Sequence, residues 1–565
     1  MTRPETICKM DNYSVQEESA RIFHEHLINN EQLGLPASII EAAKHVQFVG
    51  IDPKPYMPTC CKMTESASAL SGFVAATANA ICAHRYGTEY QDVQVDTDLA
   101  TLFLQSFFLP EINGKPFWQH APLAAELDKG DLYDIQKPIH QQATNIYQAK
   151  DGKWYQLHGS LNSKPTMDML GVQEQHVTHE EAFSIYARKV KQLDAATLER
   201  MANDDFSQPG VTCLTHEEFL ASEHGRIISK EPLWTMKSIP APSTNWPPNP
   251  HAANLKPLAG IRVIDFSRAM AGPIVSKLLA LFGAEVIKIS HKELPDFPIT
   301  WVDLNTGKHD AEINLKDAEG KLKLAELIAG ADVLVDCYRP GVLARLGFDS
   351  KSMRKINERL IYLRENCYGF QGPLAHRAGL QQISDCLVGH SWLQGQFLGL
   401  DEPVLPPLPN SDYQAGLVGA AVAMLALLER SKGDTAFDIN ISLTQYNIWF
   451  YRLGQYTDDQ CRRLRARNPS FQARHYDGMR TLVARTHAAM IKARPELCKT
   501  PEYFTKMSGR EWGLDDDISI LEPPFRFSRL KLEYEVPSGA RGRSKPQWSG
   551  GGELGTGNMQ SVHGR

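Results

Sequence analysis

The chain has 565 residues, too many for one ordinary core, so two or three domains are expected. With 42% hydrophobic and 22% charged residues the composition is globular, which excludes a disordered or fibrous chain. A net charge of -6 and the lack of a basic stripe leave no footprint for nucleic acid or an anionic membrane surface; a small anionic ligand needs only a few local cations.

The ten cysteines are scattered, with Cys60 and Cys61 adjacent and no CxxC pair. That pattern reads as reduced thiols and offers no metal-ligand spacing. The opening MTRPETICKMDNYSVQEES lacks an apolar signal core, and no stretch reaches the ~18 apolar residues of a membrane span. The closing SVHGR is not a peroxisomal address, so a cytoplasmic location is the expectation.

In chain order, residues 1–238 come first and end at a proline-rich stretch, residues 239–256. Proline fixes φ and removes amide donors there, so this stretch reads as a linker. Beyond it, IRVIDFS (Ile261 to Ser267) has strand length, and Gly272-Pro273 opens the helix IVSKLLALFGA. EVIKIS, DVLVDCY and RLIYLREN read as further strands, with an amphipathic helix from Asp317 to Ala331. Alternating strands and helices predict an α/β fold with a doubly wound parallel, Rossmann-like sheet over residues 257–453. No GxGxxG follows the first strand, so this is not a standard dinucleotide site. Residues 454–548 are expected to form a helix-and-strand cap with a wrapped end, and 549–565 a disordered tail.

A faint internal repeat joins the two ends. TESASALSGFVAATANAICAHRYGTEYQDVQVDT from Thr64 parallels SDYQAGLVGAAVAMLALLERSKGDTAFDINISL from Ser411. Each has an acid (Glu65, Asp412), a small-residue helix with a glycine (Gly72, Gly419), a basic residue, a glycine turn and a β-like alternation. The first copy has no βαβ unit before it, so it is expected to be a degenerate half-domain.

PLAGIRVIDFSRAMAGPIVSKLLALFGAEVIKIS from Pro257 resembles the opening of the class III (CaiB/BaiF-type) CoA-transferases. NTGKHDAEINL, DVLVDCYRPGVLARLGF, CYGFQGP, AGLQQISDCLVG and SDYQAGLVGAAVAMLALLER then follow in the family's order. YQAKDGKWYQLHGS from Tyr147 and QPGVTCLTHEEFLASEHGRI from Gln208 resemble its small C-terminal domain, expected as a smaller α+β domain. The chain thus resembles two fused subunits, the first lacking its nucleotide-type half.

The resemblance implies coenzyme A as substrate or bound ligand, with an acyl-CoA and a carboxylic acid as partners. Family members move CoA between acids through an aspartate nucleophile, and some relatives racemise 2-methylacyl-CoA. Members are usually interlocked dimers; a homodimer is one arrangement it allows, and a fused chain imitating part of a dimer is another.

At the aspartate position this sequence has Gln381, a carboxamide that can hydrogen-bond but cannot form an anhydride. Two other acids are candidates. Asp385 lies one helical turn on, and otherwise reads as a solvated helix residue. Glu365 ends a strand, where sites in open parallel sheets lie, and otherwise reads as a salt bridge to Arg364. For CoA, the candidates are Arg339, which closes a strand, Lys308, and Ser267, Arg268 and Gly272 at a helix start. Gly369 and Gly372 are expected to let backbone approach the thioester. Lys288 is placed either toward the nucleotide end or, as strand lysines usually are, in an edge or solvent contact, and His376 and His390 read as surface or structural residues. The open choice is between an acyl-CoA transferase or isomerase and a silent CoA-binding or regulatory chain.

Overall fold

The computed structural model describes residues 13–249 and 254–549. Its centre is a seven-stranded sheet with six parallel strands: Arg262–Phe266, Glu285–Ser290, Lys308–Glu312, Val333–Asp336, Ile361–Asn366 and Thr435–Ser442. In chain order these lie 3-2-1-4-5-6, with Trp234–Pro240 antiparallel on the last. This is the order of doubly wound nucleotide-type sheets, whose ligand crevice opens where the order reverses. Val263, Ile264, Leu334 and Val335 are fully buried, because helices cover both faces.

The third parallel strand, KHDAE, is one that apolar patterning does not reveal. Its charges are neutralised inside the fold. Lys308 Nζ meets Asp265 Oδ2 at 2.8 Å and donates to the Pro273 carbonyl at 2.7 Å. Asp310 accepts from the Gly542 amide at 2.8 Å and from the Ser290 hydroxyl.

Met63–Tyr86 and Asn410–Arg430 are the helices of the internal repeat. Both are long and apolar enough to cross a membrane by length and composition, yet 94% of each apolar window is buried in the fold. They pack on each other, and Gln414 Nε2 donates to the Met63 carbonyl at 3.4 Å. Asn410–Arg430 also packs on Ala271–Leu281 at very short range. A Cβ at Gly416 would lie 2.5 Å from Ile274, and one at Gly419 2.6 Å from Val275.

The expected domain limits do not separate independent bodies. The start of the proline-rich stretch, Ile239–Pro240, is the end of the seventh strand of the main sheet. Residues 250–253 lie outside the described residues. The C-terminal region is no separate cap: Phe525–Phe527 pairs with Val93–Asp96, and Asp517–Leu521 with Glu111–Ile112. Its end wraps the main sheet, where Trp548 donates to the Leu327 carbonyl at 3.1 Å. The expected tail lies outside the described residues beyond Ser549. A small antiparallel sheet, Asn145–Gln148, Trp154–Leu157 and Gly210–Thr212, forms the α+β part of the N-terminal half.

The Gly416 contact leaves no room for a branched side chain. Gly416→Val is expected to lower unfolding free energy by ~1–3 kcal/mol, read as an earlier midpoint in chemical denaturation.

Candidate functional site

A cleft opens at the point where the strand order reverses. Arg268 and Ala269 enter it after the first parallel strand, and Cys337 to Pro340 after the fourth. Glu365, Asn366 and Cys367 come from the end of the fifth. Arg377 to Leu380 close another side, and Ser160, Leu161 and Pro209 reach in from the N-terminal half.

Glu365 is the carboxylate of this cleft. It is 9% exposed, and burial pushes its pKa up to about 8. Among the described residues no nitrogen donor pairs with it; its hydrogen-bonding neighbour is the Cys337 thiol, a weak donor. The expected salt bridge to Arg364 does not form, because successive strand residues face opposite ways. Arg364 lies instead over Tyr362 and Phe370. Gly272 gives Cys337 its place: a Cβ there would sit 2.3 Å from the Cys337 sulfur.

Gln381 does not line the cleft. It is the first residue of the helix Gln381–Val388, and its Nε2 donates to Asp385 Oδ2 at 2.7 Å and the Leu408 carbonyl at 3.1 Å. Asp385 is not solvated. It is buried, and Asn447 Nδ2 at 2.9 Å and Ser411 Oγ at 3.3 Å donate to its other oxygen. Burial raises its pKa to about 6, against the pull of His390 and these donors. Gln381 and Asp385 thus form a satisfied polar pair behind the cleft wall.

Asp412, marked in the sequence only by the repeat, faces the same acids. Its pKa lies well above the usual carboxylate range, through burial first and then the nearby Glu365 and Asp385. Its counterpart Glu65 accepts from the hydroxyls of Tyr456 at 2.6 Å and Tyr13 at 2.7 Å.

Of the residues expected to hold CoA, Arg268 and Arg339 reach the cleft. Arg268 lies 4.5 Å from the Tyr338 ring centroid and donates to the Pro295 carbonyl at 2.7 Å. Arg339 is exposed and donates to the Ser207 carbonyl at 2.8 Å. Two guanidiniums beside a tyrosine at strand ends suit the phosphates of CoA.

The others are placed differently. Lys308 is 0% exposed and bound to Asp265, so it holds the sheet together and is not presented to a ligand. Ser267 is buried and donates to Asp265. Gly369 and Gly372 have φ of 90 and 83°, which favours glycine. Their close approach is to the N-terminal half: added Cβ atoms would lie 2.4 Å from Ile228 and 2.7 Å from His224. Lys288 is not an edge contact; it is buried and paired with Asp296 at 3.0 Å. His390 is buried against Phe450 and bonded to the Asn447 carbonyl, while His376 is exposed. Among the described residues no His, Cys, Asp and Glu group is arranged for a metal ion.

These placements separate stability from binding. Lys308→Met strands Asp265 inside the sheet and should cost ~3–5 kcal/mol in denaturant titration. Arg268→Ala should instead weaken CoA binding severalfold in calorimetry with a small change in stability. Glu365 adds a pH term. Folding raises its pKa from 4.5 to about 8, so its contribution to stability is full below pH 4.5 and is lost as pH rises through 8. Glu365→Gln should flatten that fall in a melting series across pH.

The sequence pattern of CoA-transferase family III matches residues 258–487. The acetyl-coenzyme A transferase nodX of Hypoxylon pulicicidum is 34% identical over 95% of this chain and 93% of its own length. An acyl-CoA transferase of Gibberella moniliformis is 32% identical over 71% of this chain and 73% of its own. The succinyl-CoA–L-malate CoA-transferase beta subunit of Chloroflexus aurantiacus is 37% identical, over 31% of this chain and 46% of its own. With a relative matching along almost its whole length and the family pattern covering the strand-end side of the cleft, this chain belongs to CoA-transferase family III.

Proposed function

We propose that the protein moves CoA from an acyl-CoA to a free carboxylic acid, with Glu365 as the carboxylate that carries the acyl group. One observation supports this above the rest. The family's nucleophile position holds an amide tied back to Asp385, while Glu365 lines the cleft without a cation partner.

The steps balance without redox chemistry. An ionised Glu365 oxygen attacks the thioester carbonyl carbon, the C–S bond breaks, and CoA leaves as thiolate. The product is a mixed anhydride between the acyl group and Glu365. The thiolate then attacks the Glu365 carbonyl carbon, releasing the first acid as carboxylate and leaving a glutamyl-CoA thioester. The acceptor carboxylate attacks that thioester and forms a second anhydride. Thiolate attack on the new acyl carbon gives the new acyl-CoA and restores Glu365. A buried carboxylate suits this role, because little water must be stripped from it and few donors blunt it. The backbone of Asn366 to Cys367 and of Ala378 to Leu380 supplies amides around the thioester. Arg268 and Arg339 hold the nucleotide end.

A panel of acyl-CoAs and acids, followed by mass spectrometry of labelled CoA, tests this. Wild type should exchange CoA, Glu365→Gln should lose at least ~10³-fold in kcat, and Asp385→Asn should lose far less. Because the ionised form reacts, kcat/KM should rise with pH up to about 8. CoA binding without exchange, with activity appearing in Gln381→Asp, would mark a silent CoA-binding chain instead.

A further inference from the structure

One wall of the cleft is built by the N-terminal half, in the same chain. The strand Trp154–Leu157 delivers the loop His158 to Leu161, and hydrogen bonds tie down its first three residues. His158 Nδ1 accepts from the Ser160 amide at 2.8 Å. The ring proton therefore sits on Nε2, which donates to Gln382 Oε1 at 3.1 Å. Burial lowers the His158 pKa to about 4, so the ring is neutral and this tautomer holds at ordinary pH. The Gly159 amide donates to Thr144 Oγ1 at 3.0 Å, and Thr166 Oγ1 donates to the His158 carbonyl at 3.3 Å.

Ser160 carries the cost of this arrangement. Its φ is 55°, in the left-handed region that non-glycine residues rarely occupy. Strain of this kind persists where the surroundings over-determine it, and it concentrates at ligand sites. Here it brings Ser160 and Leu161 to the cleft. Further ties hold the same half across the opening: Arg377 to Glu199 at 2.7 Å, and Arg339 to the Ser207 carbonyl at 2.8 Å.

The lining divides by chemistry. The strand ends supply Arg268, Tyr338 and Arg339, which suit phosphate. The N-terminal half and the loop before Gln381 supply Leu161, Pro209, Ala378 and Leu380, which suit hydrocarbon. The cleft, which opens to solvent, has a volume of ≈ 90 Å³, well under the ~300 Å³ of a site for a drug-sized ligand.

We propose that the His158–Leu161 loop is the acyl-selecting wall of the transferase. Leu161 limits the chain length of a short aliphatic acyl group, and His158 is the positioning residue that holds Leu161 there. This rests on the assignment of Glu365 as the acyl carrier.

The test is a competition among acetyl-, butyryl- and octanoyl-CoA with the full-length protein. Wild type should favour the shorter esters in kcat/KM. Leu161→Ala should raise the octanoyl-to-acetyl ratio roughly tenfold, and Leu161→Phe should lower the butyryl-to-acetyl ratio. Leu161 is partly exposed, so neither change threatens the fold. His158→Ala should move the ratio in the same direction as Leu161→Ala, whereas a purely structural role would slow all three esters alike. Ratios unchanged in both Leu161 variants would overturn the wall. A wild type that turns over none of the esters would overturn the transferase reading instead. The affinity ranking of the same esters by calorimetry then decides the wall, and a ranking that Leu161→Ala leaves intact overturns it.

Discussion

The close contact of small-residue helices is the constraint on which the rest depends. Asn410–Arg430 presses glycines against Ala271–Leu281 on one side and meets Met63–Tyr86 on another. Alanine and glycine leave no bulky side chains between the axes, so backbones approach and dispersion contacts accumulate. This weld fixes the N-terminal half on the nucleotide-type half. The cleft is then walled by residues of both halves.

The electrostatics follow from the same close packing. Lys277, Lys288 and Lys308 are each buried and each meet an aspartate within 3.0 Å. Burying such charges is tolerable only when they are paired and hydrogen-bonded. Asp385 follows the same rule through neutral donors. Glu365 departs from it, having only a thiol beside it at the mouth of the sheet. A buried acid without such donors at the cleft fits the proposed role of Glu365 as the reactive carboxylate.

Much of this was legible in the sequence, and the parts that were not share a cause. Runs such as IRVIDF and EVIKIS announce buried parallel strands because both faces are apolar. The resemblance carried the family and, with it, the expectation of an aspartate where Gln381 stands. KHDAE escaped because its polarity is cancelled by partners distant in sequence. Asp385 looked solvated for the same reason: Ser411 and Asn447, which satisfy it, are remote in the chain. Lys308 matched a ligand-binding pattern, yet its partner Asp265 lies two strands away across the sheet and 43 residues back in the chain. The loop at Ser160 combines local ties with a remote one: His158 also bonds Gln382, 224 residues away, which no local pattern reports. Local pattern reports burial well; it reports pairing only when both partners lie within a few turns.

The most direct test of the account is to trap the acyl carrier. Wild-type protein would be incubated with acyl-CoA, quenched with hydroxylamine and mapped by peptide mass spectrometry. Hydroxylamine captures an activated carboxyl as a hydroxamate on the side chain that carried it. The account predicts the hydroxamate on Glu365, and none in Glu365→Gln. A hydroxamate on Asp385 or Asp412, or exchange that proceeds with Glu365 unmodified, would contradict it.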